Sequence, residues 1–153
     1  MATRPPVLFF GHGTPMLTLT RNKYTSAWAA LGKSIPKPKE ILCISAHWMT
    51  QGFQLTAMAT PRTIHDFGGF PRELYSLRYP APGAPDVARE VVAVLREAGI
   101  EAKTNATQGF DHGAWVPISC TRRADRRQTT PRGARSATSA SARCSCGSRS
   151  GRE

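Results

Sequence analysis

Four histidines carry most of the chemistry this sequence could perform: His12, His47, His65 and His112. Each sits in a short stretch rich in glycine and aromatic residues: Gly11-His12-Gly13-Thr14-Pro15, Ser45-Ala46-His47-Trp48, Thr63-Ile64-His65-Asp66-Phe67 and Asp111-His112-Gly113-Ala114-Trp115. Neutral imidazole is the commonest side-chain metal ligand and suits Zn and Fe. Its pKa near neutrality also lets it carry a proton during a reaction. Taken singly, each histidine has a plainer explanation. One beside a tryptophan is more often a hydrogen-bonded structural residue, and His65 next to Asp66 reads equally well as a solvated loop residue.

Two of the four are delivered in the same way, and this favours a shared metal. Residues 7–10 (Val-Leu-Phe-Phe) and residues 41–44 (Ile-Leu-Cys-Ile) are short apolar runs, each followed by small residues and then a histidine. Such runs predict buried strands, which would place His12 and His47 at one rim of a sheet. In open α/β sheets that rim is where ligands bind. Between them, Tyr24, Trp28 and Leu31 fall at i, i+4 and i+7, the spacing of one helix face, with Gly32 as its stop. The order strand, helix, strand is the usual prelude to a parallel sheet.

Further along, Phe53, Leu55 and Ala57 alternate with polar residues and predict a third strand. Residues 85–98 predict the clearest helix, with Pro85 and Asp86 suited to its first turn and Gly99 beyond its end. Val87, Val91, Val94 and Leu95 are its expected buried face, and residues 100–103 its following strand. The stretch from Gly109 to Pro117 reads as a loop around His112. The expected fold class is therefore α/β, a mixed or mainly parallel sheet flanked by helices.

The chain has 153 residues and a formal charge of +11, enough length for one domain with a modest core. The charge is unevenly placed: residues 1–120 carry a net +4, whereas residues 121–153 carry nine arginines, two acids and a net +7. That last stretch contains no Val, Ile, Leu, Met, Phe, Trp or Tyr. Without large apolar side chains a segment cannot offset its ordering entropy, so it is expected to be disordered. Its arginines raise nucleic acid as a partner, but it lacks the interleaved aromatics that stack on bases. Cys43 is expected as a reduced thiol in the core, and Cys144 and Cys146 form a lone C-x-C that is weak support for zinc. No secretory signal and no stretch of transmembrane length is visible, which makes cytoplasm the default location, and no membrane partner is expected.

The four histidine motifs, in order and together with Gly69-Phe70-Pro71, Tyr79-Pro80-Ala81-Pro82-Gly83 and the continuation to Val116-Pro117, resemble the class III extradiol ring-cleaving dioxygenases. The similarity is greatest to the branch typified by DOPA 4,5-dioxygenase and covers nearly all of residues 1–118. The resemblance implies an enzyme with non-haem Fe(II), or Zn(II) in some members, acting on a catechol-type small molecule and O2. The ring would open beside its two hydroxyls. Matched motif by motif, it implies His12 and His47 as metal ligands and His112 as a catalytic histidine near the substrate. His65, Trp48, Phe67 and Trp115 are the expected substrate-side residues, and packing in the core is an equal alternative for each aromatic.

The tail departs from the resemblance. Relatives of this kind are longer and draw a further metal ligand and a catalytic histidine from their C-terminal half, whereas no histidine follows His112 here. The family often continues with a Met-Tyr-Pro-Glu type of sequence, and such codons read one base late give Cys-Thr-Arg followed by Arg or Ser. The chain has Cys120-Thr121-Arg122-Arg123. Residues 1–118 are accordingly read as the N-terminal part of a truncated catalytic domain. Residues 119–153 are read as a basic low-complexity tail, disordered or frameshifted, in a chain of weak or no activity. Truncation would also leave apolar surface that invites oligomers or aggregates. Two alternatives stay open: a metal-dependent hydrolase using the histidines to activate water, and a nucleic-acid binder acting through the tail.

Overall fold

The structure is a computed structural model, and it describes residues 5–122. Most of the arginine-rich tail, including Cys144 and Cys146, lies outside the described residues.

A short 3-10 helix, Pro15–Thr18, follows the His12 turn and is capped by the Thr14 hydroxyl, which accepts from the Met16 N–H. Helix α1 spans Lys23–Ser34. Its start is a capping box: the Asn22 side chain accepts from Tyr24 and Thr25 N–H at 3.0 Å each, and Thr25 Oγ1 accepts from Asn22 N–H at 3.0 Å. These bonds satisfy donors that a helix start leaves orphaned. Strand β1 (Phe53–Thr56), helix α2 (Arg72–Ser76), helix α3 (Pro85–Glu97), strand β2 (Ala102–Asn105) and helix α4 (His112–Thr121) follow in order.

The two strands pair in parallel, Phe53 opposite Ala102 through Thr56 opposite Asn105, with α3 packed against them. This is the expected α/β arrangement with parallel pairing. The pairing direction continues past the strand ends. Thr63 and Phe110 form a parallel bridge, with Ile64 N–H donating to Phe110 carbonyl at 2.8 Å and Phe110 N–H to Arg62 carbonyl at 2.9 Å. A side chain at Gly109 would collide with the Arg62 carbonyl, so glycine is what lets these two loops touch. The loop bearing His65 and the loop leading to His112 are thereby tied together.

The core lies beside this junction. Leu74, Tyr79, Trp115 and Val116 form its buried cluster, surrounded by Met16, Leu17, Phe67, Phe70 and others. Helix α1 packs on α4, and this contact corrects the expectation that Gly32 ends α1. The helix runs on to Ser34, and Gly32 lies inside it because a Cβ there would strike the Thr121 backbone carbonyl. The glycine is a close-approach residue, not a stop. Its buried line runs through Thr25, while Tyr24 stands exposed.

Other expectations also need correction. The runs at residues 7–10 and 41–44 carry no regular secondary structure and neither forms a strand, and Val7, Phe9 and Ile44 are 98%, 98% and 94% exposed. A strand exists only through its ladder, and no backbone group of these runs finds a hydrogen-bonded partner among the described residues. Cys43, expected in the core, is for the same reason an exposed free thiol. On α3 the buried residues are Ala88 and Val92, and Val94 is 63% exposed. The segment around His112 is a helix rather than a loop, capped by Asp111 and extending through Thr121 despite Pro117.

Candidate metal centre

Three of the four histidines converge. His12 projects from the turn before the 3-10 helix, His47 from the turn after residues 41–44, and His112 is the first residue of α4. Their rings lie with centroids 5.1 Å (His12–His47), 5.3 Å (His12–His112) and 4.0 Å (His47–His112) apart. One ring nitrogen from each falls within 4.8 Å of the others. His12 Nε2 and His47 Nε2 face each other at 3.0 Å.

Local sequence explains how each ring is brought there. Gly13 adopts a φ of +63°, a left-handed conformation that costs glycine little, and turns the chain sharply after His12. Phe10 anchors the preceding residues by an edge-on contact with Trp28 of α1, ring centroids 5.1 Å apart. His47 is held through its backbone, whose N–H donates to Ser45 Oγ at 3.1 Å. That hydroxyl in turn donates to Asp111 Oδ1 at 2.7 Å. The same oxygen accepts the Ala114 N–H at 3.0 Å and so caps α4. Gly113 leaves room for this approach, because a Cβ there would run into Ser45 Oγ and His47 Cδ2. His112 is held by Asp66, whose Oδ1 accepts the His112 backbone N–H at 2.9 Å and lies 2.9 Å from His112 Nδ1.

The electrostatics favour a neutral, ligating His12. Burial pushes the His12 pKa below 6.5, and the neighbouring His112 and His47 push it the same way against the opposing pull of Asp111 and Asp66. A neutral imidazole keeps the lone pair that a metal needs. Asp66 shows the complementary effect. Burial works to raise its pKa, but the hydrogen bonds from His112 outweigh that and hold it below 3.8, as a carboxylate.

The donor set fits a divalent metal. Two imidazole nitrogens at 3.0 Å must share a proton or a cation. His12 Nδ1 is buried with no hydrogen-bond partner among the described residues, while His112 Nδ1 lies 2.9 Å from Asp66 Oδ1. Imidazole nitrogens are donors of borderline softness and suit Zn or Fe.

The remaining expected site residues are spread around this cluster. Phe67 stands edge-on to His112, ring centroids 5.4 Å apart, and also touches Trp115 at 6.4 Å. Trp115 is 1% exposed and its indole N–H donates to the Ile64 carbonyl at 2.8 Å, which makes it the core wall behind α4. Trp48 is half-buried next to His47. His65 does not join the three rings. Its Nε2 lies 3.1 Å from the Leu77 carbonyl, its ring packs against Phe67, Tyr75 and Trp115, and burial lowers its pKa from 6.5. Sequence reasoning missed the roles of Ser45, Asp66 and Asp111. Only Asp111, directly ahead of a stretch that proves helical, carried a readable signal, that of an N-cap.

Comparison with known proteins accords with this geometry. Residues 8–127 match the family model described as the catalytic LigB subunit of aromatic ring-opening dioxygenase. The chain belongs to this family. It is 51% identical over 114 residues to a 4,5-DOPA dioxygenase extradiol of Escherichia coli, an alignment covering 74% of this chain and 42% of that relative. It is 40% identical over 115 residues to the protein of the same name from Beta vulgaris and 38% identical over 114 residues to that of Mirabilis jalapa, with 72% of this chain and 42% of each relative covered. The chain thus spans about 42% of the length of these curated relatives. No described helix is long and apolar enough to cross a membrane.

Proposed function

We propose that this chain provides the metal-binding and substrate-facing part of an extradiol dioxygenase that opens a catechol ring with O2 beside the two hydroxyls. The observation that carries this reading is the meeting of three imidazoles from three separate chain segments in a chain of the ring-opening dioxygenase family. His12 and His47 are assigned as metal ligands. Fe(II) is the expected ion, with Zn(II) as the alternative. When bound, it would supply a Lewis-acidic centre for the catechol oxygens and, as iron, the electrons that make O2 reactive.

The protein's own residues then have distinct tasks. His12, kept neutral by burial, offers a lone pair rather than a proton. His112 is assigned to the substrate side, where it accepts a catechol hydroxyl proton. The Asp66 carboxylate close to its Nδ1 stabilises the imidazolium so formed and leaves Nε2 to face the substrate. Phe67, edge-on to His112, borders the place a catechol ring would occupy. Trp48 is assigned to the opposite rim and Trp115 to the wall behind it. His65 is assigned to holding the Phe67 loop against Leu77, at the edge of the substrate region.

We also read residues 1–118 as part of one catalytic domain and 119–153 as a frameshifted continuation, in a cytoplasmic chain of weak or no turnover. The test is anaerobic reconstitution with Fe(II) followed by O2 uptake with catechol and with DOPA, for this chain and for one with the reading frame restored. Uptake with a yellow ring-opened product in the restored chain supports the reading. Neither metal binding nor uptake in either chain refutes it.

A further inference from the structure

We propose that Ser45 and Asp111 are positioning residues that lock His47 to the first turn of α4 and so set the spacing between His47 and His112. The proposal rests on the metal-binding reading above. His47 is itself exposed and lies on a turn with no ladder partner among the described residues, so its own segment gives the ring little rigidity. A ligand on such a turn needs support from elsewhere to hold its position within about 0.5 Å.

That support comes from one carboxylate oxygen. Asp111 Oδ1 accepts the Ser45 hydroxyl at 2.7 Å and the Ala114 N–H at 3.0 Å, while Ser45 Oγ accepts the His47 N–H at 3.1 Å. The chain of bonds runs from the His47 backbone through Ser45 to the cap of the helix whose first residue is His112. Two of the three imidazoles thereby share one anchor, although 65 positions separate them in sequence. The close approach is built in, because any side chain at residue 113 would occupy the space of Ser45 Oγ and His47 Cδ2.

Asp111 has a second effect. The N-terminus of a helix carries positive partial charge, which repels a cation placed beside it. A carboxylate at the cap offsets that charge at the end of α4 facing the cluster. The bonding and the charge can be separated by substitution. Asn at 111 keeps an oxygen able to accept both bonds and is itself a good N-cap, but it removes the charge. Ala removes both, and Ser45→Ala removes the link to His47 while leaving cap and charge in place.

The experiment is Co(II) titration of the full chain and of Ser45→Ala, Asp111→Asn and Asp111→Ala, with chelator competition for affinity and the visible spectrum for ligand geometry. A thermal melt of each metal-free variant checks the fold. Ser45→Ala is expected to weaken Co(II) binding about 10- to 100-fold, the usual cost of losing support behind a ligand, and to alter the ligand-field bands. Asp111→Asn is expected to keep the wild-type spectrum with a smaller loss, and Asp111→Ala to lose more than either. Should Asp111→Ala fail to fold, Ser45→Ala carries the test, since it leaves the helix cap intact. Unchanged affinity and spectrum in Ser45→Ala would overturn the positioning role while leaving the metal site standing. Absence of Co(II) binding in the wild-type chain would overturn the metal-binding reading and the positioning role with it.

Discussion

Replacing Gly113 by alanine should separate the stability of the fold from the geometry of the metal centre. In a helix, Gly→Ala ordinarily stabilises by up to about 1 kcal/mol, because glycine has more backbone freedom to lose. At this position the new Cβ would lie 2.6 Å from His47 Cδ2 and would also strike Ser45 Oγ. Ordinary carbon–carbon contact is about 3.5–4.0 Å, so the His47 ring would have to retreat by roughly 1 Å. Both obstructing atoms belong to side chains of the 45–47 turn, whereas α4 is fixed by the buried Trp115 and Val116. The turn is the part that yields. We therefore expect Gly113→Ala to melt at the wild-type temperature or above it when metal-free. It should bind Co(II) about 10- to 100-fold more weakly, roughly 1.4–2.8 kcal/mol of binding free energy. Differential scanning fluorimetry and chelator competition measure the two quantities on the same sample. Undiminished metal affinity at an undiminished melting temperature would show that the turn is not held against α4. A large fall in melting temperature would show that the turn cannot yield.

Three further outcomes are expected. Gly32→Ala presents the opposite case, because the Cβ there meets the Thr121 backbone carbonyl rather than a movable side chain. The usual helix gain should turn into a loss of about 1–3 kcal/mol in denaturant unfolding, and an unchanged midpoint would refute the close α1–α4 contact. His65 should make the metal-free protein less stable as pH falls below 6.5. Its pKa is lowered in the folded state, so the unfolded chain takes up the proton first and is favoured, until the folded pKa is passed and the loss levels off. His65→Gln should reduce that slope in melts across the range, leaving the part due to His12, which is shifted in the same direction. Finally, the exposed Val7, Phe9, Ile44 and Met49 should drive self-association. Phe9→Ser combined with Ile44→Ser should shift sedimentation towards monomer, and a monodisperse wild-type monomer would contradict this.

The parts of the fold that were legible in the sequence are those whose signal is local. Helix α3 was bounded within a residue because Pro85, Asp86 and Gly99 mark its ends, and β1 followed from the alternation around Leu55. The buried face of α3 was not legible. Valines at 87, 91, 92 and 94 make more than one face apolar, and packing against the sheet selects Ala88 and Val92. Helix α4 was hidden because Gly113 and Pro117 look like loop residues. Gly113 is there for the approach of Ser45, while the cap at Asp111 and the burial of Trp115 and Val116 hold the helix despite Pro117. The runs at 7–10 and 41–44 failed as strands for a different reason: apolar character makes a segment fit for a ladder but does not supply one.

The candidate site divides along the same line. His12, His47 and His112 could be singled out by residue type and motif, since ligand chemistry belongs to the side chain itself. Which carboxylate serves which imidazole belongs to the fold. Asp66 adjoins His65 in sequence, yet its oxygen binds the backbone N–H of His112, 46 residues away. Asp111 adjoins His112, yet through Ser45 it holds the turn of His47. Each acid therefore serves a histidine other than its sequence neighbour, an exchange produced by the parallel bridge of Thr63 to Phe110 and by the glycine at 113. Because metal affinity and proton transfer depend on these supports as well as on the ligands, a side chain at Gly113 should weaken the site even with all three histidines in place.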